Sequence, residues 1–284
     1  PDADVPGFSE AFKDAGRLVV DVGLLVAAQC DRYVERRCPG YEANKLGRII
    51  AASRCCKARL LHYFPKGATA AVAAVEGADG ADEGADETPL GAEAPVNAEA
   101  EAALEESQFS DWCAGWHADH GSLTGLIPAV FLNEDGREVE NPDPACGLYI
   151  RSRQVRQGAL VKAALPADVS AGECLFFQIG EAAQIHTGGL LAATPHAVRG
   201  PRVPRVSRES FAVFMEPMWD EEAVARDSDA DAAGGSTAAE AGCAAAKGRQ
   251  NAVLLPAGMT PLADRWSPGI SFGEFTRRTL QSYY

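Results

Sequence analysis

From Phe8 onward, apolar side chains return every three or four residues: Phe8, Phe12, Ala15, Val19, Val22, Val26, Cys30 and Tyr33. That spacing lays one apolar stripe along a long amphipathic helix, and Cys38-Pro39-Gly40 ends it. A shorter helix is predicted over 43–56, with Leu46, Ile49, Ile50 and Ser53 turned inward and Cys55-Cys56 half buried near its end. The period then changes. Arg59-Leu60-Leu61-His62-Tyr63-Phe64-Pro65 reads as a strand closed by proline, with Phe64 in the core. Further short strands are predicted over 112–119, 123–127, 147–151, 159–163, 174–178, 190–198 and 211–215. Turn signals separate them, among them Asn141-Pro142-Asp143-Pro144, Ser170-Ala171-Gly172 and Thr187-Gly188-Gly189. Many short, punctuated strands after two helices predict a mostly β fold with flanking α-helices, its core a sandwich or jelly roll.

Two stretches carry no period. Residues 66–110 are rich in Ala, Gly, Glu and Asp, with Gly-Ala-Asp repeated at 77–79, 80–82 and 84–86. Such a segment buries too little apolar surface to offset the entropy of ordering, so a disordered insert is expected. Residues 220–251 read as a flexible linker of similar composition. Phe272, Phe275, Leu280 and Tyr283 then predict a C-terminal helix over the barrel, in its sharper form a lid on the substrate entrance. The chain thus divides into helices at 1–57, a core at 58–219 interrupted by the insert, the linker, and a helical segment at 252–284. The net charge of −14 changes this picture little. Eleven acidic residues and no basic one lie between Glu76 and Glu106, which leaves the rest only mildly acidic. No basic footprint for nucleic acid appears, and no apolar run has the length of a membrane span. Eight cysteines without a C-x-x-C pair indicate neither a zinc ribbon nor a disulfide scaffold. Free thiols fit a reducing, cytoplasmic setting, although a chain that opens on Pro1 leaves an organelle open.

The candidate chemistry centres on Trp116-His117-Ala118-Asp119. On a strand, residues i and i+2 face the same side, so His117 and Asp119 can direct an imidazole nitrogen and a carboxylate oxygen at one metal ion. His196 on a neighbouring strand supplies a third ligand. Two His and one carboxylate on one face leave coordination positions open, which suits non-haem Fe(II) and O2 chemistry. Downstream, Arg208 and Ser210 share one side of a predicted strand. His120 alternates away from the ligand side, and His186 is a candidate for touching substrate. Phe214 is a candidate pocket wall and Trp116 a core residue.

Read in order, the H-x-D of His117–Asp119, the distal His196 and the segment Arg208-Glu209-Ser210-Phe211-Ala212-Val213-Phe214-Met215-Glu216-Pro217 resemble the 2-oxoglutarate/Fe(II)-dependent dioxygenase superfamily, in its isopenicillin N synthase-like branch. The resemblance runs from about Arg59 to Pro217, less the insert. It implies a double-stranded β-helix core and Fe(II) held by His117, Asp119 and His196. It also implies 2-oxoglutarate anchored by Arg208 and Ser210, O2 as oxidant and a small-molecule substrate. A tyrosine that many members use for the co-substrate would stand at Phe64, with Tyr63 or His62 left to compensate. The polar loop 133–144 lengthens the gap between Asp119 and His196. Other readings stay open: an oxidase of the same branch that does not use 2-oxoglutarate, a non-catalytic jelly-roll binding protein, and a zinc hydrolase. Oligomeric state is not legible.

Overall fold

The computed structural model describes residues 1–65, 94–95, 112–151, 160–165, 168–222, 255–256 and 258–283. The expected insert and linker fall outside these residues, except at 94–95 and 220–222. Helix α1 spans Phe8–Glu35, and Val19, Gly23, Ala27, Asp31 and Val34 form its buried centre. This line lies one step around the helix from the predicted stripe, and Tyr33 is exposed. Two residues explain the rotation. Gly23 offers no side chain where the Met215 thioether packs. Asp31 is buried but occupied: its carboxylate accepts from the Leu46 and Gly47 N–H groups at 3.0 Å each and from the Tyr41 hydroxyl at 2.6 Å. Those N–H groups belong to the first turn of α2, Lys45–Ala52, where no intrahelical acceptor exists. Helix α2 is therefore shorter than expected. Ser53 and Cys55-Cys56 fall beyond it, and the Ser53 hydroxyl donates to the Glu216 carbonyl.

The strands form two antiparallel sheets. In the first, β1 (Lys57–Tyr63) pairs with β10 (Ser207–Met215), β10 with β4 (Leu123–Leu132), and β4 with β5 (Glu138–Val139) and β8 (Phe176–Ile179). The second runs β2 (Ala94–Pro95), β7 (Leu160–Lys162), β6 (Gly147–Arg151), β9 (His196–Arg199), β3 (Trp112–His117). Period-two alternation gives the first sheet two apolar faces. Phe211, Val213 and Met215 of β10 join Val19 and Ala27 of α1 in the main core. Arg208, Ser210, Ala212 and Phe214 face the other way, into a cavity shared with the second sheet.

Several expectations change here. Strand β4 continues past Pro128 because the ladder bulges: Ile127 pairs with Phe211 and Val130 with Glu209, so Pro128 and Ala129 bow out where no N–H is needed. The predicted strand 190–198 shrinks to β9. Before it, side chains take the backbone groups that a ladder would use: Gln184 Oε1 accepts from the Ala193 N–H and Thr187 Oγ1 from that of Leu191. The loop 133–144 contains β5, which folds back on β4. A short helix α3, Glu181–His186, was not expected; six residues are too few to show a period. Ala94–Pro95 of the presumed insert forms a two-residue strand on β7. Residues 220–222 are likewise tied down, with Glu222 bridging Ser271. Helices α4 (Leu262–Arg265) and α5 (Phe272–Tyr283) follow, and Leu262, Trp266, Phe272 and Phe275 pack on Ala182 and Ile185 of α3. Among the described residues, none after Phe214 lines the cavity. The C-terminal helix is thus a buttress behind α3, not a lid.

Candidate metal centre and anion pocket

His117 ends β3 and His196 begins β9, and the two are direct partners in the ladder. Their ring centroids lie 4.3 Å apart. Strand β3 stops at His117, so Asp119 stands in the following loop rather than on the strand, yet it still turns to the same side. Its Oδ1 is 3.8 Å from His117 Nε2 and 3.9 Å from His196 Nε2. These separations are too long for hydrogen bonds but within two metal–ligand bonds of about 2.0–2.2 Å each. One donor atom from each of the three residues falls within 4.8 Å of the others.

The surroundings prepare these atoms for a cation. His117 Nδ1 faces the Gly115 carbonyl at 2.7 Å, and His196 Nδ1 faces that of Thr194 at 3.1 Å. A carbonyl only accepts, so each Nδ1 carries a proton and each Nε2 is the nitrogen left to face a metal ion. Burial, opposed by the Asp119 charge, holds the His196 imidazolium below its ordinary pKa and keeps the ring neutral. Asp119 Oδ2 is buried and has no hydrogen-bond partner among the described residues. Two imidazoles and a carboxylate with an oxygen unpaired among the described residues fit a divalent transition ion.

The Asp119 loop is stitched to α3. The Glu181 N–H donates to the Asp119 carbonyl at 2.7 Å, that of Ala182 to Gly121 at 3.0 Å, and that of Gly180 to Ser122 at 3.0 Å. Gly180 is packed on the Gly121 carbonyl, with no room for a Cβ. Helix α3 is fixed in turn by a fully buried ion pair: Arg265 Nη1 and Nη2 reach the two oxygens of Glu181 at 2.8 and 2.5 Å.

At the other end of the same cavity, of about 680 Å³, stands Arg208. It is 9% exposed, and its Nη1 donates to Ser210 Oγ at 3.3 Å. Its guanidinium carbon lies 5.1 Å from the Tyr63 ring centroid, and its Nε has no partner among the described residues. Tyr63, not Phe64, faces the cavity, because alternation turns Arg59, Leu61 and Tyr63 inward on β1. Phe64 is 79% exposed and meets His62 edge-on, against the expectation of a core aromatic. His62 also points outward, with Nδ1 at 2.7 Å from Glu209. The six residues expected at the site, His117, Asp119, His196, Arg208, Ser210 and Tyr63, therefore all line one cavity.

Neither a family model nor a curated protein matches the chain. Solved structures do. A 2OG-Fe(II) oxygenase family protein from Caulobacter crescentus and a full-length Neurospora crassa protein in complex with alpha-KG each superpose with a TM-score of 0.53 at 18% identity. The fold is that of the 2OG-Fe(II) oxygenases. Both matches cover 99% of this chain, but 61% and 59% of the other, so the chain spans about three-fifths of their length.

The remaining histidines are placed elsewhere. His120 turns from the cavity, stacks on Phe272 with centroids 5.7 Å apart, and has Nε2 3.9 Å from Glu216. His186, a candidate for touching substrate, is sealed in α3 away from the cavity. Burial pushes its pKa down to about 3. Phe214 lines the cavity as expected. Trp116 packs on Tyr149 and Leu160 behind the second sheet. Sequence reading missed Arg59 as a cavity residue, although its alternation with Leu61 and Tyr63 carried the signal. It also missed the Glu181–Arg265 pair, which no local pattern announces.

Proposed function

We propose that the protein is a non-haem Fe(II)/2-oxoglutarate-dependent oxygenase with a double-stranded β-helix core, acting on a small molecule. One observation carries this reading: three converging metal donors and a buried, incompletely paired guanidinium share a single cavity. His117, Asp119 and His196 hold the metal. Their protonated Nδ1 atoms, fixed on backbone carbonyls, keep the Nε2 lone pairs directed inward. Arg208 grips the far carboxylate of 2-oxoglutarate with its forked donors. Ser210 orients the guanidinium, and the Tyr63 ring covers it. Bound Fe(II), with 2-oxoglutarate and O2, supplies an oxidant able to attack an unactivated C–H bond, with succinate and CO2 as co-products. The protein's own tasks are to position, to balance charge and to exclude water. Leu126, Phe131, Phe176 and Phe214 provide the dry walls.

The test is anaerobic reconstitution with Fe(II) and 2-oxoglutarate, followed by metal analysis and a visible spectrum. Wild-type protein should retain one iron per chain and develop a charge-transfer band on adding 2-oxoglutarate. Asp119→Ala removes the only anionic ligand and should lower iron affinity by more than the roughly 10–100-fold typical of losing a partner behind a ligand. Retention of iron by that variant, or no band in the wild type, would refute the reading.

A further inference from the structure

Beyond the charges that the proposed metal and co-substrate use, two cations line the cavity, Lys162 and Arg59, and it is Arg59 that keeps its donors open. Strand β1 pairs Arg59 with Ala212, Leu61 with Ser210 and Tyr63 with Arg208, so Arg59 stands four residues along the strand from the Arg208 row, at the exposed mouth of the cavity. Its guanidinium carbon lies 5.3 Å from the Phe214 ring centroid. Phe214 pairs with Thr124, at the start of the strand that leaves the Asp119 loop, whereas Arg208 pairs with Phe131 farther along β4. Arg59 therefore sits toward the metal end, on the side away from the proposed co-substrate anchor. Opposite it on β10 is the small Ala212, which leaves the space before it open.

Charge balance makes this position informative. Asp119 is the one acidic residue lining the cavity among the described residues. A divalent ion, the Asp119 carboxylate, the Arg208 guanidinium and doubly charged 2-oxoglutarate cancel. The other lining cation, Lys162, turns its ammonium to the Pro144 carbonyl. Arg59 remains, with no carboxylate or hydrogen-bond acceptor among the described residues and an aromatic face beneath it. A guanidinium spread over an aromatic ring keeps its edge donors free for a carboxylate. The neighbouring walls, Leu61, Leu126, Phe176 and Phe214, are apolar. A cavity of about 680 Å³ also exceeds what a five-carbon diacid fills.

Building on the oxygenase reading, we infer that the substrate is a singly charged carboxylic acid with an apolar body, and that Arg59 receives its carboxylate. The acid group is held at the mouth while the apolar body lies along Phe214 and Phe176 toward the metal end.

The experiment is anaerobic calorimetry on the protein loaded with Fe(II) and saturating 2-oxoglutarate. The probes are octanoate and hydrocinnamate, each titrated against its own primary amide. The wild type should bind at least one acid about tenfold tighter than its amide, since the amide keeps the shape and loses the charge. Arg59→Gln should bring acid and amide level, and Arg59→Lys should restore part of the preference. Acids that bind no better than their amides, or a preference that survives in Arg59→Gln, would overturn the inference. 2-Oxoglutarate is titrated into both proteins in the same series. If Arg59→Gln weakens it as much as it weakens the acids, Arg59 serves the co-substrate and the inference fails. If wild type does not bind 2-oxoglutarate at all, it is the oxygenase reading that fails.

Discussion

Arg208 and Asp119 face the same cavity from opposite ends, and they are held there in different ways. Arg208 sits within a nine-residue strand whose ladders to β1 and β4 set its direction, so its position follows from local alternation. Asp119 stands on a loop. Its direction depends on the backbone bonds to α3, on the Glu181–Arg265 pair behind α3, and on the aromatic cluster of the C-terminal helices. One end is fixed by residues two apart in sequence, the other by residues brought together from far along the chain. Damage to the strand end should therefore affect binding with little effect on folding, whereas damage to the loop end should affect both.

The largest effect is expected at Arg265. Arg265→Ala takes the guanidinium from the buried Glu181 carboxylate, and breaking such a pair typically costs about 3–5 kcal/mol. Urea denaturation should show that loss, with iron affinity falling in the same protein by roughly 10–100-fold as the Asp119 loop loosens. Unchanged iron affinity in the folded fraction would dissolve the contrast between the two ends. Next comes Arg208→Ala, with an expected loss of about 2–5 kcal/mol in 2-oxoglutarate binding, because a carboxylate is left without its cation. Its urea midpoint should stay near the wild-type value. Arg208→Lys should recover only part, since an ammonium cannot make the forked contact. Titration of the anaerobic iron protein measures both.

The smallest effect, taken over the window from pH 6.5 to 5 that the measurement covers, concerns pH. His186 lies on α3, in the body that supports Asp119, and its pKa is pushed from 6.5 to about 3 by burial. Between those values the unfolded chain takes up a proton that the folded chain refuses. Stability is therefore complete above 6.5 and falls as pH drops toward 3, by at most about 1.4 kcal/mol per pH unit. His186→Leu should flatten that slope. Parallel slopes for both proteins between pH 6.5 and 5 would mean that His186 protonates as readily folded as unfolded.

The same contrast explains what could be read from the sequence. Both helices, most strands and the convergence of the six expected residues on one cavity were legible, because alternation and short motifs encode them locally. The core placement expected for Phe64 failed because adjacent strand residues differ only in which face they take, and the face is set by pairing with β10. The strand predicted over 123–127 runs on through Pro128, because a bulge absorbs the proline. Helix α3 and the Glu181–Arg265 pair left no trace, since a six-residue helix has no period and an ion pair across the fold has no spacing. The offset of the buried line on α1 was hidden as well, because Gly23 and Asp31 become contacts only through partners supplied later in the chain.

Order of synthesis gives the buttress behind α3 a further meaning. A ribosome that has released residue 200 has already made His117, Asp119 and His196. It has made neither Arg208 nor Arg265, nor the aromatic residues that seat α3. The three donors thus emerge into a cell containing many metal ions before the loop that aligns them has its support. On the oxygenase reading, geometry-dependent selection of the ion waits for that support, which leaves the ribosome after the donors themselves.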